Sequence, residues 1–243
     1  MTNVANAVSL VWKIVFGVRY CWQYWGYIHE ANQATRYLYE YRHYLSFTDR
    51  NAFLSGLSDE IWIRSELPQQ KELDHLRSVN EEGLLLSQKT NDLIGESWYL
   101  LCLGSIKIYE EQWDDAWEIS KNAYDIGKHA AAAQEQSNPA YLTNLVGLKE
   151  FRHSANQVLS GIAQQLALMF EYRNKYDEAF PLVEESIALN LINGMAESRM
   201  RWLLGYGRIL LGLGRRNDAI KEWIKAIKII REIGSKIEVA HAL

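Results

Sequence analysis

Two arginines follow a Gly-x-Gly pair in GLGRRNDA (Gly212, Gly214, Arg215, Arg216). Such a loop would cradle a phosphate if it ran from a strand into G-K-[S/T], or a dinucleotide if a third glycine followed inside a strand–helix–strand unit. Neither ending is present, and RWLLGYGRIL before it has a helical pattern. The glycines therefore serve a turn and close packing, with Arg215 and Arg216 extending into solvent. HEANQ at 29–33 begins like a zinc-protease helix, but position 33 is Gln, so the second ligand of His-x-x-x-His is missing. The six histidines, at 29, 43, 75, 129, 153 and 241, form no short-range ligand spacing. YEEQWDDAWE holds Glu110, Glu111, Asp114, Asp115 and Glu118, a set suited in principle to acid–base or metal chemistry. The same acidic turn recurs at Asp177-Glu178 and at Asp218, and carboxylates at a helix start are favoured by the macrodipole. A feature that repeats with the fold belongs to the fold. No G-x-S-x-G occurs, and no base is arranged beside Ser97, Ser105 or Ser160, so a nucleophile is unsupported. These residues predict a chain with no catalytic site, no cofactor and no metal ligand set.

The elements that would position any site are helical. Three prolines in 243 residues, at 68, 139 and 181, leave long stretches without a breaker. The net charge of −4 excludes the overall basic character of most nucleic-acid binders. Nine tryptophans and fourteen tyrosines are enough aromatic mass to build a core. Cys21 and Cys102 stand far apart with no CxxC, which predicts reduced, buried thiols and a cytoplasmic setting. The N-terminal segment MTNVANAVSLVWKIVFGVRYCWQYW is apolar but interrupted by Lys13 and Arg19. It predicts a buried first helix rather than a membrane span, and an apolar surface that self-association or a docked partner would cover.

Three segments align on an alanine that follows an acidic turn. Ala116, Ser120 and Ala123 match Ala179, Val183 and Ser186, and both match Ala219, Trp223 and Ala226. Ala31, Thr35 and Leu38 give a weaker fourth copy. Twelve residues before each of the three strong alanines stands a small residue: Gly104, Ala167 and Gly207. Small residues on both sides of a turn let two antiparallel helices approach closely, with the larger residue four positions on lying over the gap. Gly95 and Gly194 read as left-handed helix ends between one helix pair and the next, and Gly234 begins the same move.

These residues resemble the tetratricopeptide repeat, whose pattern is W-x2-L-G-x2-Y followed by A-x3-F. LCLGSIKIYEEQWDDAW keeps Leu103-Gly104 and the turn, and LLGYGRILLGLGRRNDAIKEWIKA keeps Gly207, Gly214 and Ala219-x3-Trp223. Leu100 and Leu203 replace the first Trp, and the closing proline is absent from both copies. The interval from Ala179 to Ala219 is 40 residues, as in the longer variant of the repeat. The interval of 63 from Ala116 to Ala179 implies an insertion near 130–151, where Asn138-Pro139 breaks the helix, and the 85 from Ala31 to Ala116 leaves room for a degenerate unit. The resemblance implies an all-α solenoid of ten to twelve helices in stacked antiparallel pairs. It would have degenerate repeats over 1–90 and clear ones over 91–243, in one continuous domain. The chain ends inside another repeat start, so its last helix would be a cap or the uncapped C-terminus a second docking surface.

In the resembled family the first helix of each pair lines a concave surface. Carried over by register, the implied groove residues are Trp98, Leu101 and Ser105, then Gln164, Leu168 and Tyr172, then Arg201, Leu204 and Arg208. The strip would hold an extended or helical segment, with the arginines on its carboxylates. The Lys and Asn of the carboxylate-clamp members are not at the matched positions, which argues against chaperone tails. The expected function is a non-catalytic protein- or peptide-binding scaffold, without nucleic acid and without membrane insertion. The alternative is a ligand-sensing regulatory module, similar to the sensor repeats of bacterial NB-ARC-type signalling ATPases, with any nucleotide switching supplied by a partner.

Overall fold

Ten α-helices and one 3-10 turn make up the described residues of the chain in a computed structural model. Described are residues 2–24, 28–58, 68–136, 154–193 and 196–233, without the side chains at 2–3, 16–24, 28–32, 48, 134–136, 190–193, 196–201, 230 and 232–233. Cys21, His29, Asn138-Pro139, His153, Gly194, Arg201, Gly234 and His241 thus lie wholly or by their side chains outside the described residues. No strand occurs among the described residues. The chain divides into two compact units, 1–110 with 138–152, and 111–137 with 153–243.

The first unit contains α1 (Thr2–Tyr24), α2 (Ile28–Tyr39), the 3-10 turn (Arg42–Tyr44), α3 (Phe47–Ser58), α4 (Gln70–Thr90) and α5 (Leu93–Tyr109). A capping box between Gln69 and Glu72 starts α4. Asn91, at φ 54°, ends it, and Asp92 caps α5 by accepting from the Gly95 N–H at 3.1 Å. The left-handed end expected at Gly95 therefore falls four residues earlier. Gly95 is in the first turn of α5, where a Cβ would meet the Ser87 hydroxyl and the Asp92 carboxylate. Packing runs α1 on α2, α3 on α4, and α4 on α5. The buried Tyr99 ring lies against Gly83, and its hydroxyl donates to Asn51, whose carbonyl and side-chain oxygens are 2.9 and 2.8 Å away. Trp12 is buried edge-on against Phe53 at 6.2 Å. Among the described side chains of α1, Val4, Leu10, Val11 and Ile14 are exposed, a departure from the buried helix expected.

The second unit contains α6 (Trp113–Gln136), α7 (Ala155–Tyr172), α8 (Tyr176–Asn193), α9 (Ala196–Gly212) and α10 (Arg216–Ile233). Each helix packs on the next in sequence. The repeated alanines Ala116, Ala179 and Ala219 are fully buried at the starts of α6, α8 and α10, and each donates its N–H to the residue four back, at 2.9, 3.1 and 3.0 Å. Five residues before each alanine the backbone is left-handed, at Glu111 (φ 58°), Asn174 (φ 56°) and Gly214 (φ 74°). Gly207 leaves the gap that the Trp223 indole fills, and Trp223 Nε1 donates to the Leu204 carbonyl at 3.2 Å. Ser160 and Ser186, both fully buried, exchange hydroxyl-to-carbonyl bonds of 2.8 Å between α7 and α8. Small side chains at these crossings bring helix axes together without orphaning a polar group. Ala167, Ala179, Val183 and Ile209 form the centre of the core they enclose.

Candidate partner-binding face

Helix α7 begins with a capping box. Ser154 Oγ accepts from the Gln157 N–H at 3.2 Å, and Gln157 Oε1 accepts from the Ser154 N–H at 2.8 Å. From that start one face carries Val158, Ile162, Leu166 and Met169 into the core. The opposite face carries Gln164, Leu168 and Tyr172. Leu168 and Tyr172, one turn apart, are exposed large hydrophobics, Tyr172 at 61%. One side of the Tyr172 ring is covered by Trp113 of α6, stacked at 3.9 Å and 7°. That contact fixes the ring and leaves its other side open.

Helix α9 contributes the second wall. Arg208 reaches Glu171 of α7 in a two-point ion pair, Nε to Oε1 at 2.6 Å and Nη2 to Oε2 at 3.1 Å. Gly205 lies between the walls, where a Cβ would be 3.8 Å from Arg208 Nη2 and 3.9 Å from Gln164 Nε2. The missing side chain of Gly205 leaves the Gln164 amide and the Arg208 guanidinium uncrowded, and α7 carries the exposed Leu168 one turn and Tyr172 two turns beyond Gln164. Such a face can hold a segment by side-chain hydrogen bonds and a hydrophobic anchor.

The other predicted positions are placed differently. Trp98, Leu101 and Ser105 on α5 are buried, Leu101 to 1%, and the Ser105 hydroxyl donates to the Leu101 carbonyl at 3.1 Å. Buried side chains of this kind offer a ligand almost no area, so they are packing residues of α5 rather than an open lining. Leu204 is half-buried against Ala226 of α10. The Arg201 side chain is outside the described residues. Sequence reasoning did not place Glu171, Trp113 or Gly205 on this face. Glu171 stands 37 residues before Arg208, three short of the repeat interval, so the ion pair joins neighbouring repeats one turn out of register.

Two carboxylates of the acidic turn are held in ion pairs. Glu110 is engaged by Arg77 and Lys107, and Asp114 by Arg173 at 3.0 Å. The Glu111–Asp115 turn forms a shallow depression that includes the Trp113 ring. Arg215 does not simply extend into solvent, since its guanidinium lies 5.2 Å over the Phe180 ring and pairs with Asp218. Among the described residues no group of His, Cys, Asp or Glu is placed to hold a metal, and no helix is long and apolar enough to cross a membrane. Cys102 is buried.

No family model matches the chain, and no curated protein matches it. Among solved structures it is similar to a Podosopora anserina protein described as a kinesin light chain with nearly identical TPR-like repeats. The match has 14% identity and a TM-score of 0.54, and covers 93% of this chain and 96% of that one. The fold is therefore an all-α, TPR-like helical-repeat solenoid.

Proposed function

We propose that the chain is a non-catalytic protein- or peptide-binding repeat module, and that α7 and α9 present its capturing face. The observation that carries this is the exposed pair Leu168 and Tyr172 on α7, following Gln164 on the same helix, with the Arg208–Glu171 pair joining α7 to α9. Arg201 belongs to the same strip by register. A rigid aromatic anchor next to satisfied polar groups is the usual composition of an energetic centre in a protein interface. The helices fix the face before a ligand arrives, so little ordering entropy is lost on binding. A regulatory role, in which the face captures a short signal peptide, would use the same residues.

The test begins with proteins retained from cell extract on the immobilised chain, followed by titration of each purified candidate. Binding should weaken about tenfold or more in Tyr172→Ala, an anchor worth about 1.4–2 kcal/mol. A candidate protein, or a short peptide, that binds this variant and Leu168→Asp as tightly as the wild type would place the binding elsewhere.

A further inference from the structure

We propose that the outward row of α10 is a docking site for one further helix, and that its occupant is an acidic amphipathic helix of a partner protein. The other junctions of the second unit show what that row is for. One residue after their repeat alanines, Trp117 of α6 and Phe180 of α8 each meet a ring of the following helix. Trp117 lies edge-on to Phe170 of α7 at 4.9 Å, and Phe180 lies 5.8 Å from Tyr206 of α9. Three residues before the alanines, Trp113 stacks on Tyr172 at 3.9 Å, and the Tyr176 ring lies against Gly212. One turn beyond Phe180, Glu184 accepts from the Tyr206 hydroxyl at 3.2 Å. Counted in the same way from Ala219, the row on α10 is Arg216, Ile220 and Ile224. All three are exposed, Ile224 at 61%. The positions that receive the following helix at two successive junctions thus recur on α10, with two isoleucines, open to solvent. A helix is the element that this row already receives twice.

Charge decides which helix. Every exposed charge among the described side chains of α10 is positive: Arg216, Lys221, Lys225, Lys228 and Arg231. The acids Asp218 and Glu222 are half-buried and already engaged by Lys221 and Lys225, at 3.1 and 2.7 Å. Lys228 and Arg231 follow Ile224 by four and seven residues and so share its side of the helix. Charges beside an apolar seam select the partner, and a cationic rim calls for carboxylates on the flanks of the incoming helix. A second copy does not supply them. Two α10 helices would set lysine against lysine, and α1, the chain's other exposed apolar helix, contains no carboxylate. This inference is independent of the α7–α9 face.

The probe is a labelled, hydrocarbon-stapled helix of about three heptads, with leucine at alternating steps of three and four residues and glutamate at the flanking positions. By fluorescence anisotropy the full chain should bind it saturably, with a Kd below about 100 μM. The same peptide with lysine in place of glutamate should bind about tenfold more weakly or worse. Ile220→Ser/Ile224→Ser should lose about tenfold or more while keeping the wild-type helical CD signal, since both side chains are exposed. Lys228→Glu/Arg231→Glu, which keeps the apolar row, should weaken the glutamate probe and strengthen the lysine probe. Tyr172→Ala should leave binding of the glutamate probe unchanged, which separates this site from the α7–α9 face. No saturable binding up to about 1 mM, equal binding of the two probes, or binding undiminished by the isoleucine variant would overturn the proposal. So would pelleting with phosphatidylserine vesicles that the isoleucine variant abolishes while neither probe binds, which would assign the row to a lipid surface.

Discussion

At the scale of single residues, the three repeat turns share one demand and meet it in three ways. Each needs a left-handed residue five positions before its alanine, and the chain supplies Glu111, Asn174 and Gly214. Glycine adopts that conformation without a Cβ penalty, asparagine tolerates it, and glutamate does so at a cost of about 1 kcal/mol or more. Gly214 has nothing within 4 Å of its Cβ position, so only backbone strain enters there. Gly214→Ala should therefore lower stability by about 1 kcal/mol, and Glu111→Gly should raise it by about 0.5–1 kcal/mol. Chemical denaturation of both variants checks the pair of opposite signs. The turn at Gly214 was legible in the sequence because glycine announces it. Those at Glu111 and Asn174 were legible only through their distance from the buried alanines, since a glutamate carries no such signal.

At the scale of elements, a close helix crossing within the second unit and a charge cluster within the first each contribute to stability. Gly207 is in a helix interior, where alanine would ordinarily gain about 1 kcal/mol in propensity. A Cβ there would run into the Trp223 indole and displace it from the Leu204 carbonyl, an overpacking cost of about 1–3 kcal/mol. The clash wins, so Gly207→Ala should be net destabilising by about 1–2 kcal/mol, measured by thermal or chemical denaturation. In the first unit Glu82 of α4 accepts from Arg42 at 2.7 Å, from Arg50 of α3, and from Tyr39 of α2 at 3.2 Å. Burial alone would raise the Glu82 carboxyl, but the hydrogen bonds and charges of Arg42 and Arg50 outweigh it and hold it below its ordinary value of 4.5. Its folded pKa is depressed, so its contribution is present above the unfolded value and is lost as pH falls through the folded one. Wild type should melt higher than Glu82→Gln at neutral pH, with a margin of about 1–2 kcal/mol that shrinks progressively below about pH 4.5. A margin independent of pH would show that the glutamate acts through packing. The alkaline side has the opposite sign. Burial first, then the charge of Glu82 for Tyr39 and of Glu184 for Tyr206, pushes both phenols up to about 12. Stability held through them is present below the unfolded value near 10 and declines as pH rises toward 12, which tyrosinate absorbance would follow.

At the scale of the whole molecule, the repeat signature in the sequence and the helical architecture agree because both come from the same small residues. Ala116, Ala179 and Ala219 are conspicuous in sequence and fully buried in the fold. The binding face was less legible, for a physical reason. Register assigns a side chain to a helix face, but whether that face is open depends on what other helices lay against it. Ser105 and Leu168 each stand eleven residues before their alanine, yet Ser105 is buried and Leu168 exposed. The α1 stripe was legible as apolar, while its two-sidedness emerged only once Trp12 was seen buried and Leu10 exposed. A fold made of neighbouring helix pairs also predicts how damage spreads. Stability in such an architecture is close to a sum of pair terms and nearest-neighbour terms, so a lesion opens its own pair first. Gly207→Ala lies at the α9–α10 crossing, and α9 packs on α8. Amide hydrogen exchange should rise about five- to thirtyfold in α9 and α10, corresponding to about 1–2 kcal/mol. The rise should be smaller in α8 and absent in α4 and α5. Equal acceleration across all ten helices would mean that the chain unfolds as one cooperative block, and the pairwise account of its stability would fail.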